Sequence, residues 1–329
     1  MTTTLRLGWI GAGRMGTQMV NRLLEAGCDL AVYNRTKSKA LPLEARGALL
    51  VDSPAELADR DIVFSMVGTS DDLLAVICGD GGLLSGDAAP GILIDSSTVS
   101  AEASSTVRAE AVARGTTLLC APVSGNPKVV GSGRSTIAVS GPRDAFDTVE
   151  PILHLIARSV TYVGEDDAAR LVKIAHNLVL GIVAQALAET TVLVEKAGIT
   201  RSAYLEFLND SVMGSTFTRY KTPGIVYLDW TPTFTPILLR KDLDLGLDAA
   251  ATLGATLPLV ETAREAVQRM IDHGLDDLDF QALLVMQAQA ASLGLAPEPG
   301  PVSDGLETPL GNGQAIAAAA PEPEPEPQP

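Results

Sequence analysis

The sequence predicts an α/β fold in which a doubly wound, mostly parallel sheet is followed by an all-helical region. Short apolar runs such as residues 62–67 and 92–95 alternate with helical stretches as far as about residue 163. This alternation is typical of a parallel sheet covered by helices on both faces. A long apolar helix is predicted next, over residues 168–196, and no convincing strand follows it. In the remainder, helices are predicted over residues 202–209, 240–253, 259–273 and 280–292.

The first predicted strand, residues 5–10, runs directly into a glycine-rich turn and a helical stretch. In such a unit the first glycine permits the tight turn, the second lets the backbone approach a pyrophosphate, and the third lets helix and strand pack closely. The helix N-terminus then faces the phosphates. The pattern predicts a Rossmann-like dinucleotide site formed by Gly11, Ala12, Gly13, Arg14, Met15 and Gly16. Met66 and Val67 end the predicted strand 62–67, and Gly68 follows it at the carboxyl edge of the sheet. All three are assigned to this site, with a place in the core as the alternative for Met66.

The end of the second predicted strand indicates which nicotinamide cofactor is bound. NAD enzymes usually place an acidic residue here, which accepts hydrogen bonds from the ribose 2′-hydroxyl. This chain has Asn34-Arg35-Thr36 instead, followed by Lys37 and Lys39. Cationic and hydroxyl groups suit a 2′-phosphate, so we predict NADP(H) rather than NAD. The alternative interpretation is an ordinary polar turn.

The long apolar helix carries a lysine, Lys173, and four residues later Asn177. Its 29 residues would span about 43 Å, which is long enough to join two domains. Residues four apart project from the same helix face. A lysine in apolar surroundings has a lowered pKa and needs a reason to be there. Either its head reaches water or a carboxylate, or it is a functional cation. His176, between the two, is either a packed histidine or a proton carrier.

Composition limits the possible partners. The formal net charge is −16, from 40 acidic and 24 basic residues, and residues 297–329 contain six of the acids and no base. The rest of the chain therefore retains an acidic excess, which argues against nucleic acid or an anionic membrane as a partner. The three cysteines and three histidines lack metal spacing, so no metal site is predicted.

The cysteine content and the N-terminal sequence predict a cytoplasmic protein. The cysteines are interpreted as reduced thiols. The start, Met1-Thr2-Thr3-Thr4-Leu5-Arg6, lacks the apolar segment of a secretion signal, and no uninterrupted apolar run approaches membrane-spanning length. Three segments are predicted: a dinucleotide-binding domain over 1–164, a helical substrate and oligomerisation domain over 165–295, and a disordered Pro/Glu/Ala-rich tail over 296–329.

Five blocks in order resemble the β-hydroxyacid dehydrogenase family, which includes 3-hydroxyisobutyrate dehydrogenases and the tartronate-semialdehyde and glyoxylate/succinic-semialdehyde reductases. The resemblance covers about residues 5–294. The blocks are the Gly11–Gly16 turn with Met19; Asp95-Ser96-Ser97-Thr98; Ala121-Pro122-Val123-Ser124-Gly125 through Gly133; Lys173 with Asn177; and Lys241-Asp242-Leu243-Asp244-Leu245 after Phe234. Each block alone is unspecific, but five blocks in this order are not expected by chance.

The resemblance implies an NADP(H)-dependent oxidoreductase that interconverts a small 3-hydroxy acid, or a related hydroxy acid, and its aldehyde or keto form. It implies that Lys173 is the catalytic acid/base, with a pKa lowered by burial and by nearby Lys241, and that Asn177 holds substrate or water. Ser124 and Gly125 would grip a substrate carboxylate and Thr98 would lie near the nicotinamide ribose. Lys241, with Asp242, would close the site and contact both substrate and cofactor. A homodimer or homotetramer is also implied.

Two departures from the family pattern leave the substrate open. Asn126 stands where a second glycine is common, followed by Pro127 and Lys128, and Arg134-Ser135 replace Thr-Leu after Gly133. We assign Asn126 to substrate binding. The alternatives are an imine reductase, which typically has Asp or Tyr in place of Lys173, and a non-catalytic cofactor-binding scaffold.

Overall fold

The computed structural model describes residues 5–306, which form two compact units. The first unit extends to Arg170 and the second begins at Leu171. The division therefore falls within the first turn of a helix, six residues after the boundary expected from the sequence.

Within the described residues the first unit contains one sheet of nine strands: β1 (Arg6–Ile10), β2 (Asp29–Tyr33), β3 (Leu49–Leu50), β4 (Ile62–Ser65), β5 (Ile92–Asp95), β6 (Thr117–Cys120), β7 (Val123–Ser124), β8 (Thr136–Ser140) and β9 (Ser159–Gly164). Neighbouring strands follow the order β3-β2-β1-β4-β5-β6-β8-β7, and β9 lies beside β8. The pairs are parallel except β6–β8 and β7–β8. The predicted doubly wound, mostly parallel sheet is thus confirmed.

The strand order reverses at β1, which lies between β2 and β4. Ligands of open α/β sheets bind beyond the carboxyl ends of the strands at such a reversal. The central strands are apolar and buried, and Trp9 of β1 stacks on Phe64 of β4 with ring centroids 5.2 Å apart. The helices of this unit are α1 (Arg14–Glu25), α2 (Leu41–Glu44), α3 (Ser70–Cys78), α4 (Ala101–Ala113), α5 (Pro127–Gly131) and α6 (Arg143–Ile156).

The second unit is helical, as predicted. Helix α7 has the predicted bounds, Ala168–Lys196, and is followed by α8 (Arg201–Asp210), α9 (Thr216–Tyr227), α10 (Pro236–Leu253), α11 (Pro258–Asp272) and α12 (Leu283–Ala290). Helix α9 was not predicted because Pro223 and Gly224 lie inside it and both disfavour helix interiors. Its start carried a readable signal, since Ser215 and Thr218 form a capping box.

By length and composition helix α7 could cross a membrane, with a mean hydropathy of 1.6 over its most apolar window. Polar residues such as Lys173, Asn177 and Gln185 interrupt it, so it is not the uninterrupted apolar run that the sequence was expected to lack. The same composition is typical of a core helix, and Leu178, Leu187 and Val192 belong to the core of the second unit.

The first eleven residues of the expected tail, 296–306, are packed against the helical unit. They form neither helix nor strand, but the carboxylate of Glu298 accepts hydrogen bonds from the backbone N–H groups of Arg201 and Ser202 at 2.6 and 2.9 Å. The Tyr227 hydroxyl donates to the carbonyl of Gly300. This part of the predicted disordered segment is thus ordered, because a buried arginine, Arg201, and two orphan N–H groups at a helix start need acceptors. The remaining predicted tail lies outside the described residues.

Candidate active site

The glycine turn between β1 and α1 has two glycines that the fold itself requires. Gly11 has a φ of +100°, and a Cβ there would lie 2.2 Å from the Met66 carbonyl oxygen. A Cβ on Gly16 would lie 2.0 Å from the Gly11 carbonyl oxygen. At Gly13, by contrast, a Cβ would meet nothing within 4 Å. Protein packing therefore does not explain Gly13, whereas close approach of a ligand to its backbone does.

Helix α1 starts at this turn without a side-chain cap, because its N-cap is Gly13. A helix start without a side-chain cap is the kind of position at which proteins bind anions. The Asn34 side chain ties the turn to the end of β2, since its Oδ1 accepts from the Ala12 N–H at 2.8 Å and its Nδ2 donates to the Thr36 carbonyl at 2.8 Å. The predicted dinucleotide residues thus lie together at the carboxyl edge of β1 and β2.

Arg35, predicted to meet a 2′-phosphate, is bound to a carboxylate. Its Nη1 donates to Asp72 Oδ1 at 2.6 Å, and the Arg35 side chain is 79% exposed. Asp72 lies in the first turn of α3, the helix that follows β4. The Lys37 ammonium is likewise paired, with Asp52. The sequence reasoning did not include either acidic partner.

Met66, Val67 and Gly68 leave β4 beside the segment that leaves β5. The Val67 N–H donates to Ser97 Oγ at 2.9 Å, and a Cβ on Gly68 would approach Asp72 Oδ2 at 3.6 Å. Thr98 follows Ser97 and is partly buried. The predicted cofactor residues after β4 and β5 therefore form one continuous edge.

A buried polar network holds this edge, and the sequence reasoning missed it. Asp95, at the end of β5, is fully buried, and its Oδ1 accepts from the hydroxyls of Ser65 and Ser97 at 2.6 and 2.8 Å. Its Oδ2 accepts from Arg170 Nη2 at 2.8 Å, and Arg170 Nη1 donates to the Ser97 carbonyl at 2.9 Å. Arg170 is in the first turn of α7, one turn before Lys173.

Asp167 extends the network to α4 and β6. Its Oδ1 accepts from Arg108 Nη2 at 2.9 Å, from Ser104 Oγ at 2.5 Å and from the Cys120 thiol at 3.1 Å. Burial raises the pKa of Cys120 to about 11, so it is present as a neutral thiol. None of the three cysteines forms a disulfide in the described residues.

The predicted carboxylate-binding loop follows β7. Gly125 has a φ of +131°, and a Cβ there would lie 2.7 Å from Val129 Cγ1, so this glycine is required by the loop itself. Asn126 is the N-cap of α5, and its Oδ1 accepts from the Val129 N–H at 3.0 Å. Pro127 stands at the first helical position, which suits its missing N–H. Asn126 and Pro127, which depart from the family pattern, therefore have a structural role at the start of α5. The Asn126 Nδ2 is buried and has no partner among the described residues.

In the helical unit, Lys173 has the altered acidity expected of a proton-transfer group. Desolvation by burial lowers its pKa from 10.5 to about 8, and the carboxylate of Asp242 opposes this shift. The sequence analysis named Lys241 as a second cause, but the charged neighbour that acts on Lys173 is Asp242, whose effect has the opposite sign. A pKa near 8 leaves both protonation states accessible close to neutral pH.

Three of the predicted site residues contact one another around Lys173. Asn177 Nδ2 donates to Asp242 Oδ2 at 2.6 Å, and both side chains are buried. Lys241 Nζ lies 3.4 Å from Asp242 Oδ1. Burial, and secondly the charge of Lys173, lower the pKa of His176, so its imidazole is neutral at neutral pH. A neutral His176 leaves Lys173 as the cation to which proton transfer is assigned.

Within residues 5–306, no group of three or more His, Cys, Asp or Glu side chains has metal-binding geometry. The helix start at the glycine turn suits anion and nucleotide binding, and the lowered pKa of Lys173 suits proton transfer or oxyanion stabilisation.

Each of the two units matches a known protein family. Residues 6–164 match the NAD-binding domain of 6-phosphogluconate dehydrogenase, and residues 168–286 match the NAD-binding domain of NADP-dependent 3-hydroxyisobutyrate dehydrogenase.

Individual members of these families are similar to this chain over most of their own length. A 3-hydroxyisobutyrate dehydrogenase of Pseudomonas aeruginosa is 30% identical over 84% of this chain and 96% of its own. Glyoxylate/succinic semialdehyde reductase 2 of Arabidopsis thaliana is 29% identical over 85% of this chain and 79% of its own. The solved structure of Mycobacterium tuberculosis 3-hydroxyisobutyrate dehydrogenase with L-serine has a TM-score of 0.74 at 28% identity, covering 86% of this chain and 99% of that one.

Proposed function

The chain belongs to the β-hydroxyacid dehydrogenase family, of the 3-hydroxyisobutyrate dehydrogenase type, and from that membership we propose that it is an NADP(H)-dependent oxidoreductase acting on a small 3-hydroxy acid or a related hydroxy acid. In the reductive direction it converts the corresponding aldehyde or keto acid. The observation that carries this proposal is the desolvated Lys173, with a pKa near 8, beside Asn177 and Asp242.

The proposed chemistry assigns the proton to Lys173. The nicotinamide ring supplies the hydride when it is bound. Hydride arrival at a carbonyl carbon leaves negative charge on the oxygen, and an ammonium group directed at that oxygen stabilises the charge and donates the proton. Asn177, itself held by Asp242, orients substrate or water beside Lys173. In the oxidative direction the neutral amine accepts the proton from the hydroxyl group.

Substrate binding is assigned to the loop after β7. Ser124 and Gly125 would hold the substrate carboxylate, and Asn126 would add its Nδ2, a buried donor without a partner in the described residues. A buried donor of this kind is costly unless a ligand accepts its hydrogen bond. Lys241, partly exposed beside Asp242, is assigned to contacts with substrate and cofactor.

The pH dependence should have opposite signs in the two directions. Reduction needs protonated Lys173, so its kcat should fall about tenfold per unit as the pH rises above about 8. Oxidation needs the neutral amine, so its kcat should rise through the same pH. Steady-state kinetics from pH 6 to 10 in both directions measure these two pH profiles.

In Asp242→Asn the midpoints of both pH profiles should move to lower pH, because the carboxylate raises the pKa of Lys173. Midpoints unrelated to pH 8 in both directions would contradict the assignment.

The choice of NADP(H) is supported by Arg35, Asn34 and Thr36 at the end of β2. Arg35→Asp should weaken NADPH binding about 10- to 100-fold and NADH binding only slightly, because charge-assisted hydrogen bonds to a 2′-phosphate are lost with NADPH alone. Fluorescence titration of both cofactors measures the change. Lys39→Ala, which removes an exposed cation from the same segment, is the control and should have a smaller effect. Equal losses of affinity for NADPH and NADH would contradict the proposed 2′-phosphate site.

A homodimer or homotetramer in the cytoplasm is also proposed. Helix α7 carries exposed apolar side chains, Val179 at 59% and Leu193 at 70%, which a second copy of the chain could cover. Cysteines without disulfides in the described residues suit a reducing compartment. Light scattering of the purified chain should give a dimeric or tetrameric mass, and a monomer at micromolar concentration would contradict the oligomer.

The experiment that tests the proposed function is a spectrophotometric panel with NADPH and NADH. It includes succinic semialdehyde, glyoxylate and other small aldehydes and keto acids, the matching hydroxy acids, and cyclic imines. Cofactor oxidation with a carboxylate-bearing aldehyde or keto acid is expected. Turnover with imines alone would assign the chain to imine reduction, and tight NADPH binding without any turnover would favour a scaffold.

A further inference from the structure

Asp72 stands where it can influence the choice of cofactor, although it lies on a different element from the residues assigned to the 2′-phosphate. Its carboxylate Oδ1 accepts from Arg35 Nη1 at 2.6 Å. The Asp72 side chain is 26% exposed and that of Arg35 is 79% exposed. The contact spans the two sheet positions on either side of β1, because Arg35 follows β2 and Asp72 opens α3 after β4.

The position of Asp72 is well defined. Its own N–H donates to the Thr69 hydroxyl at 3.0 Å, which caps α3. A carboxylate in the first turn is also favoured by the positive N-terminal end of the helix. Asp72 is therefore the more restrained member of the pair, and it draws the longer, exposed Arg35 side chain towards β4.

We propose that Asp72 sets the discrimination between NADPH and NADH, by holding the Arg35 guanidinium whenever no 2′-phosphate competes for it. The inference rests on the proposed function, in which Arg35 binds the 2′-phosphate of NADPH.

Charge and geometry give the direction of the effect. The pair uses one hydrogen bond from Arg35, whereas a guanidinium binds phosphate oxygens through two parallel bonds. A 2′-phosphate of higher charge than a carboxylate can therefore take Arg35 from Asp72, but NADH offers nothing to replace the contact. The remaining Asp72 carboxylate also repels the phosphate. Binding of NADPH therefore carries a free-energy cost, from breaking the Arg35–Asp72 contact and from repulsion by Asp72, that binding of NADH does not carry.

The experiment replaces Asp72 with asparagine, which keeps the shape and removes the charge. Asp72→Asn should tighten NADPH binding about three- to tenfold, since exposed ion pairs are weak, while NADH binding changes less than about twofold. Binding is measured by fluorescence titration. Competition by adenosine 2′,5′-bisphosphate and by adenosine 5′-monophosphate isolates the 2′-phosphate from the nicotinamide. The bisphosphate should gain affinity as NADPH does, and the monophosphate should not.

Two controls separate the specific contact from general electrostatics. Asp71→Asn removes the same charge from the neighbouring position of the same helix turn, and it should change NADPH binding less than about twofold. In an Arg35→Ala background, Asp72→Asn should lose most of its gain. Equal tightening of both cofactors, no tightening at all, or a full gain without Arg35 would overturn the role of Asp72.

Failure of this proposal differs from failure of the proposed function. If Arg35→Ala weakens NADPH selectively but Asp72→Asn has no effect, the NADPH site stands and Asp72 has no part in selectivity. If Arg35→Ala leaves the ratio of NADPH to NADH affinity unchanged, the 2′-phosphate site itself is wrong, and the role of Asp72 is overturned with it.

Discussion

Replacing Lys173 with methionine should lower kcat about 10³-fold or more while the NADPH dissociation constant changes less than about threefold. General acid–base catalysis and stabilisation of a developing oxyanion each contribute about 10²-fold or more, and one ammonium group is assigned both tasks. Methionine keeps the length and apolar stem of the side chain, so packing within α7 is retained. Steady-state kinetics and fluorescence titration measure the two quantities.

The matched control is Lys196→Met, which removes another lysine from the same helix. Lys196 lies in the last turn of α7, where its Nζ donates to the Ala291 carbonyl at 2.7 Å. This variant should keep kcat within about twofold, because the removed cation has no assigned part in proton transfer. Native-like turnover by Lys173→Met would refute the role of Lys173, and equal losses in both variants would point to damage to the helix.

Arg170→Met should lower the free energy of unfolding by about 3–5 kcal/mol, because it leaves the fully buried Asp95 carboxylate without its cationic partner. It also removes the hydrogen bond from Nη1 to the Ser97 carbonyl, so the edge that carries Val67 and Thr98 loses a support. NADPH binding should weaken as a second consequence. Urea denaturation and cofactor titration at 25 °C measure the two effects.

Arg108→Met is the control for this network. Arg108 binds Asp167, but its side chain is 22% exposed and Asp167 keeps its contacts with Arg170 and Ser104. Its loss should therefore cost clearly less, about 1–2 kcal/mol. A destabilisation below about 1 kcal/mol in Arg170→Met would show that water or a rearranged side chain compensates Asp95, and that the ion pair does not hold the edge.

The parts of the fold that were predicted from the sequence depend on local patterns. The glycine turn, the apolar strands and the bounds of α7 follow from residue order and from uninterrupted helical composition. Helix α9 was missed because Pro223 and Gly224 outweighed the capping signal at Ser215. The segment after Ala296 was predicted to be disordered because its composition gives no sign that Arg201 and two N–H groups require Glu298.

The missed features of the candidate site share another property, which is distance along the chain. Asp95 and Arg170 are 75 residues apart, and Arg35 and Asp72 are 37 apart. Each residue alone looks like ordinary surface or turn chemistry, and no pattern in one sequence pairs them. Asn177 and Asp242 were both named from the sequence, yet their 2.6 Å contact became known only from the packing of α7 against α10. The electrostatic environment of Lys173 was likewise assigned to the wrong neighbour.

The most direct test of the proposed chemistry follows hydride transfer with and without the Lys173 ammonium. NADPH deuterated at nicotinamide C4, with each epimer used in turn, is mixed with the best carbonyl substrate from the panel in single-turnover experiments. The native protein should place deuterium from one epimer on the former carbonyl carbon, and Lys173→Met with NADPH bound should give labelled product about 10³-fold more slowly or not at all. Deuterium transfer by Lys173→Met at the native rate would contradict the claim that Lys173 supplies the proton as the hydride arrives.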